Sequence, residues 1–269
     1  MRDFAYARPA TLADAAAAYA NGGEAALLAG GHTLLPAMKS RLRMPDTLVD
    51  LGAVPGLTAI TRDGDLLWIG AMATHAAVAG DATVAAAIPG LAQLALLIGD
   101  PQVRNRGTLG GAVANNDPAS DYPAAMLALD ATIDTDRASY PVADFLQGMF
   151  ATVLADGEIV TRVGFRVPQR AAYAKFRHPA SRYAVVGVFV AKFAGGVRVG
   201  VTGAGPGATR WAEAEAALSA NFTPAAVAGL TLGGDLNTDI HASAEYRASL
   251  AGVMLGRAVA AASVYPGGA

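Results

Sequence analysis

Two glycine-rich turns carry most of the chemistry legible in this sequence. The first is Ala29-Gly30-Gly31-His32-Thr33, followed by Leu34. The second is Arg104-Asn105-Arg106-Gly107-Thr108-Leu109-Gly110-Gly111-Ala112, which runs through Ala114 and Asn115 into Asn116-Asp117-Pro118-Ala119-Ser120-Asp121. Each turn joins adjacent glycines to a Thr hydroxyl behind an apolar segment. Glycine lets a ligand come close to the backbone and reaches angles closed to other residues. Successive exposed N–H groups then form a concave anion site. Two such turns suit a diphosphate gripped from both sides, and the polar run behind the second suits ribityl or ribose hydroxyls. Taken singly, each turn is also compatible with a tight structural turn and nothing more.

Other sequence patterns add little. Gly203-Ala204-Gly205-Pro206-Gly207-Ala208 formally matches a dinucleotide fingerprint after a strand. However, Pro206 sits inside the turn, and too few residues follow for the alternating strands of such a half-fold. This segment is expected to be a loop. His32, His75, His178 and His241 lie far apart in the chain, with no metal-ligand spacing. There is no nucleophile elbow and no Walker lysine pattern. Asp134/Asp136 and Glu213/Glu215 read as solvated faces, so neither a catalytic residue nor a metal ligand is predicted in this chain. The segment Tyr173-Ala174-Lys175-Phe176-Arg177-His178-Pro179-Ala180-Ser181-Arg182-Tyr183 is unusually polar and aromatic for its surroundings. It reads either as a strand end with its loop or as a wall over a planar ring. In the second reading Lys175 stabilises negative charge on a reduced cofactor and Tyr183 packs beside it.

Composition narrows the field. The 269 residues suffice for two domains or one large one, with a real core. Net charge is −2 and the basic residues are scattered, which argues against a nucleic-acid partner. No apolar run approaches the roughly 20 residues of a membrane span, and the N-terminus lacks a signal-peptide core. A cytoplasmic location is the default expectation. Cysteine is absent, so this chain can hold no disulfide and no thiolate-bound cluster or zinc. Redox chemistry here would need an organic cofactor.

The elements that must position the turns follow from capping and periodicity. Thr11 reads as an N-cap over a helix ended by Asn21-Gly22-Gly23. Ala25 to Leu28 is a strand into the first turn, Leu34 to Lys39 a helix out of it, and Thr47 to Leu51 another strand. Leu57 to Ile60 and Leu66 to Ala71 flank Arg62-Asp63-Gly64-Asp65, where Asp-Gly between apolar runs signals a hairpin. Residues 73 to 98 read as two or three short helices broken at Pro89-Gly90. Asp121 to Leu129 is a helix capped by Ser120 or Asp121. Strands follow at 131–135, 139–142 and 158–167, with a domain boundary near Pro168. Beyond it come strands at 172–177, 184–193 and 197–202, then helices at 212–218, after Thr223-Pro224, and from Ala242. Sheet first and helices after implies an α+β second domain.

Taken in this order, the motifs resemble the FAD-binding medium subunit of the molybdenum hydroxylases, the carbon monoxide dehydrogenase and xanthine dehydrogenase type. The resemblance rests on residues 29–36, 104–111, 117–121 and 176–183, and it covers essentially the whole chain. It implies an α+β fold: a two-subdomain, PCMH-type FAD-binding domain over 1–170, with subdomains of about 1–55 and 56–170, then a smaller α+β C-terminal domain over 171–269. It also implies that Ala29, Gly30, Gly31, His32, Thr33 and Leu34, with Thr108, Gly110, Gly111 and Ala112, hold the FAD diphosphate. Ala114, Asn115 and Asp121 would lie along the flavin, with Val160, Lys175 and Tyr183 at its ring. Ala112 stands where family members often carry Asn or Ser, so a side-chain contact is lost there, although its main-chain N–H could still serve. The implied role is electron relay: a large molybdopterin subunit oxidises the substrate, a small subunit with [2Fe-2S] clusters passes electrons on, and FAD delivers them to an external acceptor. The implied assembly is a dimer of heterotrimers, cytoplasmic or peripheral to the inner face of the membrane. A self-contained FAD oxidoreductase of the same fold is the alternative.

Overall fold

Short apolar strands and alanine-rich helices build three sheet-centred layers over residues 1–264, the part of the chain described by the computed structural model. Residues 265–269 of the expected C-terminal domain lie outside the described part. The first layer holds β1 (Ala5–Ala7), α1 (Leu12–Ala20), β2 (Ala25–Leu28), α2 (Leu34–Lys39) and β3 (Thr47–Asp50). Its strands are parallel in the order β1-β3-β2. Thr11 caps α1 as its sequence implies, its hydroxyl accepting from the Asp14 N–H at 3.1 Å. The first glycine turn leaves β2 and enters α2, with Gly31 at φ +74°.

The second layer is an antiparallel sheet covered by helices. It comprises β4 (Ile60–Asp63), β5 (Leu66–Gly70), α3 (His75–Gly80), α4 (Ala82–Ala87), α5 (Pro89–Leu96), α6 (Pro101–Arg104), α7 (Leu109–Asn115) and α8 (Tyr122–Ala128). After these come β6 (Thr132–Thr135), β7 (Ser139–Pro141), α9 (Val142–Phe145), the small β8 (Leu146–Gly148) and β9 (Ala151–Thr152) ribbon, and β10 (Val160–Arg166). The sheet order is β4-β5-β10-β6-β7. Three helices do fill residues 75–96, and Pro89 opens the third at its first position, where a missing N–H costs nothing. The expected hairpin forms, and it turns through Gly64-Asp65 within the Arg62–Asp65 stretch, with Asp63 pairing with Leu66 across the strands. Its first strand starts at Ile60, since Leu57 is buried in another cluster.

The third layer is β11 (Arg170–Arg177), β12 (Ala184–Phe193), β13 (Gly196–Thr202) and β14 (Thr209–Arg210), antiparallel in that order, with α10 (Ala212–Ala220) and α11 (Ala244–Val264). Thr223-Pro224 opens only a 3₁₀ turn over Pro224–Val227, and the Thr223 hydroxyl makes no capping bond. Glu215 is not on a solvated face, because its carboxylate accepts from the Val199 N–H at 2.9 Å and pairs with Arg210. The architecture is therefore α+β, two N-terminal subdomains followed by a smaller α+β domain.

The near-continuous apolar run of β12 has a physical cause: both faces of this sheet are covered. Val186, Val188 and Val190 pack with Val199, Val201 and α11, whereas Tyr173, Phe189 and Ala191 enter the core shared with the second layer's helices. Gly200 marks how close that second contact is. A Cβ there would fall 2.0 Å from the Ala124 carbonyl oxygen of α8. Overpacking of this kind costs about 1–3 kcal/mol. Gly200→Ala is therefore expected to destabilise by about 3 kcal/mol in urea melts, and a variant as stable as the parent would refute this packing.

Candidate functional site

The two glycine turns touch. A Cβ on Gly30 would lie 2.2 Å from the Arg106 carbonyl oxygen and 2.8 Å from the Gly107 Cα, so only glycine permits this approach of first turn to second. The second turn is tied down from the other side by main-chain bonds from Leu109 N to Ala73 O at 3.0 Å and from Gly110 N to Ala71 O at 2.8 Å. These place the turns at the junction of the first two layers, where they form part of a cleft of about 560 Å³. That volume lies within the usual range for a small-molecule or cofactor site.

All the predicted residues except Lys175 line this single cleft: Ala29, Gly30, Gly31, His32, Thr33 and Leu34 from the first turn, Thr108, Gly110, Gly111, Ala112, Ala114 and Asn115 from the second, with Asp121, Val160 and Tyr183. The turns differ in what they offer. None of the N–H groups of Gly30, Gly31, His32 and Thr33 is taken by a protein acceptor among the described residues. In the second turn the amides are engaged: Gly111 N donates to the Thr108 hydroxyl at 3.2 Å and Ala112 N to the Thr108 carbonyl at 3.1 Å. The Ala112 N–H is thus part of α7's own ladder rather than free for a ligand. The glycines of the second turn also have separate duties. Gly110 packs against Ala71, where a Cβ would meet another at 2.5 Å, whereas Gly111 faces Thr108 and Ala29 at the cleft wall.

Lys175 stands behind the cleft. Its side chain is 1% exposed, with Nζ 2.9 Å from each Asp121 carboxylate oxygen and 3.3 Å from the Leu97 carbonyl. Asp121, expected as a helix cap, makes no capping bond. It accepts from the Tyr173 hydroxyl at 2.5 Å instead. Burial pushes the Asp121 carboxyl up, and the Lys175 ammonium and the Lys175 and Tyr173 hydrogen bonds oppose this. Removal from water is expensive for a charge unless it is paired and fully hydrogen-bonded, and here it is both. Asp117 bonds the Ala119 N–H at 2.8 Å, and burial raises its carboxyl as well.

Sequence reasoning missed Tyr19, Arg43, Met72, His75 and Ile98, all of which line the cleft. His75 carried a usable signal, as the one aromatic, titratable ring in an apolar, alanine-rich run. In space His32 and His75 share the cleft, and the His178 and His241 rings lie 4.5 Å apart. Among the described residues no group of three or more metal-ligating side chains exists.

An α+β protein with free N–H groups in a cleft of this size has the features of a cofactor-binding protein. Comparison makes the class specific. Residues 2–169 match the family described as the FAD binding domain in molybdopterin dehydrogenase. The carbon monoxide dehydrogenase medium chain of Afipia carboxidovorans is 37% identical, with 95% of each chain covered. The nicotine 6-hydroxylase medium subunit of Paenarthrobacter nicotinovorans is 34% identical over 94% of this chain and 95% of that one. A crystal structure of Cu,Mo-CO dehydrogenase superposes with a TM-score of 0.88 at 35% identity, covering 97% of this chain and 98% of the other. Quinoline 2-oxidoreductase from Pseudomonas putida 86 gives 0.87 at 30% identity, with 98% of each chain covered. This chain belongs to the family of FAD-binding medium subunits of molybdenum hydroxylases. Its cofactor is FAD.

The residues present fit that group. The open amides of the first turn and the glycine-lined approach between the turns provide a cradle for a diphosphate that a side chain would fill. His75 adds an orphan: its Nδ1 is buried without a partner, and its ring packs 5.5 Å from that of Tyr122. Burial, with smaller contributions from His32 and Arg104, lowers the His75 pKa from 6.5 to about 4. The folded protein therefore keeps His75 neutral where the unfolded chain already binds a proton. Stability from this group is full above pH 6.5 and lost as pH falls towards 4, by up to about 3 kcal/mol at 1.36 kcal/mol per unit. His75→Phe should flatten this part of the pH profile in urea melts compared between pH 7 and pH 4.5. An unchanged profile would count against the burial of a neutral imidazole.

Proposed function

We propose that this chain is the FAD-carrying electron-transfer subunit of a molybdopterin-containing dehydrogenase complex. It takes electrons from an iron–sulfur subunit and passes them to an external acceptor. The observation that carries this reading is the convergence of both glycine turns, Asp121 and Tyr183 on one cleft, in a chain of the same length and fold as medium subunits of such complexes. Bound FAD supplies both one-electron and two-electron redox chemistry. The protein's share is binding and electrostatics. The N–H groups of Gly30 to Thr33 would take the diphosphate, Gly111 would leave space beside it, and Ala114, Asn115 and Val160 would line the path. Tyr183, about half exposed at the cleft, would cover the cofactor, and Asp121 would present its carboxylate with Lys175 behind.

In this reading residues 1–170 form the FAD-binding domain, with subdomains of about 1–55 and 56–170, and residues 171–269 complete the cleft wall through Tyr183. A large molybdopterin subunit and a small [2Fe-2S] subunit are the partners, assembled as a dimer of heterotrimers. The complex is cytoplasmic or peripheral to the membrane; no helix among the described residues is long and apolar enough to cross one. The absence of cysteine from this chain supports placing the clusters elsewhere.

Two glycine variants of the assembled complex test the cofactor assignment. Gly111→Leu should place a side chain in the cleft towards Ala29 and abolish flavin absorption while the complex still assembles. Gly110→Ala should instead lower the melting temperature, because its Cβ would collide with Ala71. Full flavin content in the Gly111→Leu complex would exclude this cleft as the FAD site.

A further inference from the structure

Two residues of β11 cradle the Asp121 carboxylate. Tyr173 and Lys175 are two apart on β11 and so project to the same face of the sheet. Both reach Asp121, at 2.5 Å and 2.9 Å. Tyr173 reaches it because of Gly187, which pairs with Lys175 on the neighbouring strand. A Cβ on Gly187 would lie 2.1 Å from the Tyr173 hydroxyl oxygen and 2.8 Å from its Cζ. The phenol therefore crosses a gap that only glycine leaves open. Glycine weakens a strand interior, so its place in the middle of this sheet calls for a reason. The passage of the phenol provides one.

The carboxylate so held is buried yet borders the cleft. Tyr173 occupies one oxygen and Lys175 contacts both, so Asp121 has no freedom to swing towards or away from the cleft. A hydrogen-bonded charge fixed beside a redox group acts on the two redox states differently, because the reduced form carries more negative charge.

We propose that Tyr173 is a positioning residue of the cofactor site: crossing Gly187, its phenol locks the Asp121 carboxylate in place and thereby sets the relative affinity of the site for oxidised and reduced flavin. This rests on the FAD reading above. Tyr173 donates its hydroxyl proton to the bond with Asp121 and spreads part of the carboxylate charge onto itself. Without that bond the full charge falls on the cleft, and the reduced flavin is held less well.

The test is the reduction potential of the bound flavin in the assembled complex, measured for the parent, Tyr173→Phe and Gly187→Ala. Tyr173→Phe loses a single oxygen. It should retain FAD and weaken the site's affinity for reduced relative to oxidised flavin about tenfold, which lowers a two-electron potential by about 30 mV. Gly187→Ala should move the potential in the same direction by displacing the same phenol. A lower melting temperature with an unchanged potential in Tyr173→Phe would give Tyr173 a structural role only and overturn the proposal. If Gly187→Ala does not fold, Tyr173→Phe decides alone. A parent complex without flavin absorption would instead overturn the cofactor reading itself, and the parent spectrum distinguishes the two failures.

Discussion

The approach of Gly30 to the Arg106–Gly107 backbone is the constraint on which the rest of the site depends. Two turns from different layers must come within van der Waals contact of each other, main chain to main chain, and no side chain fits between them. Once they do, the free amides of Gly30 to Thr33 face a volume bounded opposite by Gly111 and Thr108. The remaining bonds of the second turn, to Ala71 and Ala73, serve to hold it at that position. The cleft is thus a consequence of docking one layer against another, and the glycines are where that docking is closest.

A second constraint joins the third layer to the cleft. Asp121 begins the segment leading into α8, and its partners Tyr173 and Lys175 come from β11. Removing one partner of a buried pair typically costs about 3–5 kcal/mol, because the other is left as an uncompensated charge. The pair therefore couples the position of the C-terminal sheet to the wall of the cleft. Gly200 against Ala124 and Gly187 beneath Tyr173 serve the same junction, one by allowing helix and sheet to meet and the other by letting a side chain pass. Tyr183 follows on the loop between β11 and β12, so the strand that anchors Asp121 also carries a residue to the cleft.

Much of the fold was legible because local rules governed it. Thr11 with Asp14, the Pro89 start and the alternation in β10 each reflect a preference that acts within a few residues. The errors arose where a distant group won. Asp121 looks like a helix cap, and the pull of a buried ammonium and phenol more than fifty residues away overrides that role. Lys175 looks from sequence like an exposed charge, and in the fold its ammonium is buried against Asp121 and the Leu97 carbonyl. Glu215 looks solvated until the Val199 N–H and Arg210 are placed beside it. His75 and His32 lie far apart in the chain and share the folded cleft.

Residue type, capping and short-range order were enough to read the main strands and helices, the two glycine turns, the exclusion of cluster and disulfide chemistry within this chain, and the family, but not the small β8–β9 ribbon or the 3₁₀ turn after Thr223. Tertiary structure alone decided how the two glycine turns share the work. The first keeps its amides open, and the second spends its own on α7 and on the Ala71–Ala73 segment. Chain order cannot reveal this, because whether an N–H is free depends on which acceptor the fold brings within about 3 Å. It likewise cannot reveal that Gly110 and Gly111, adjacent and identical, face different neighbours: one is set against the packed Ala71 backbone and the other against Thr108 and Ala29 at the cleft wall.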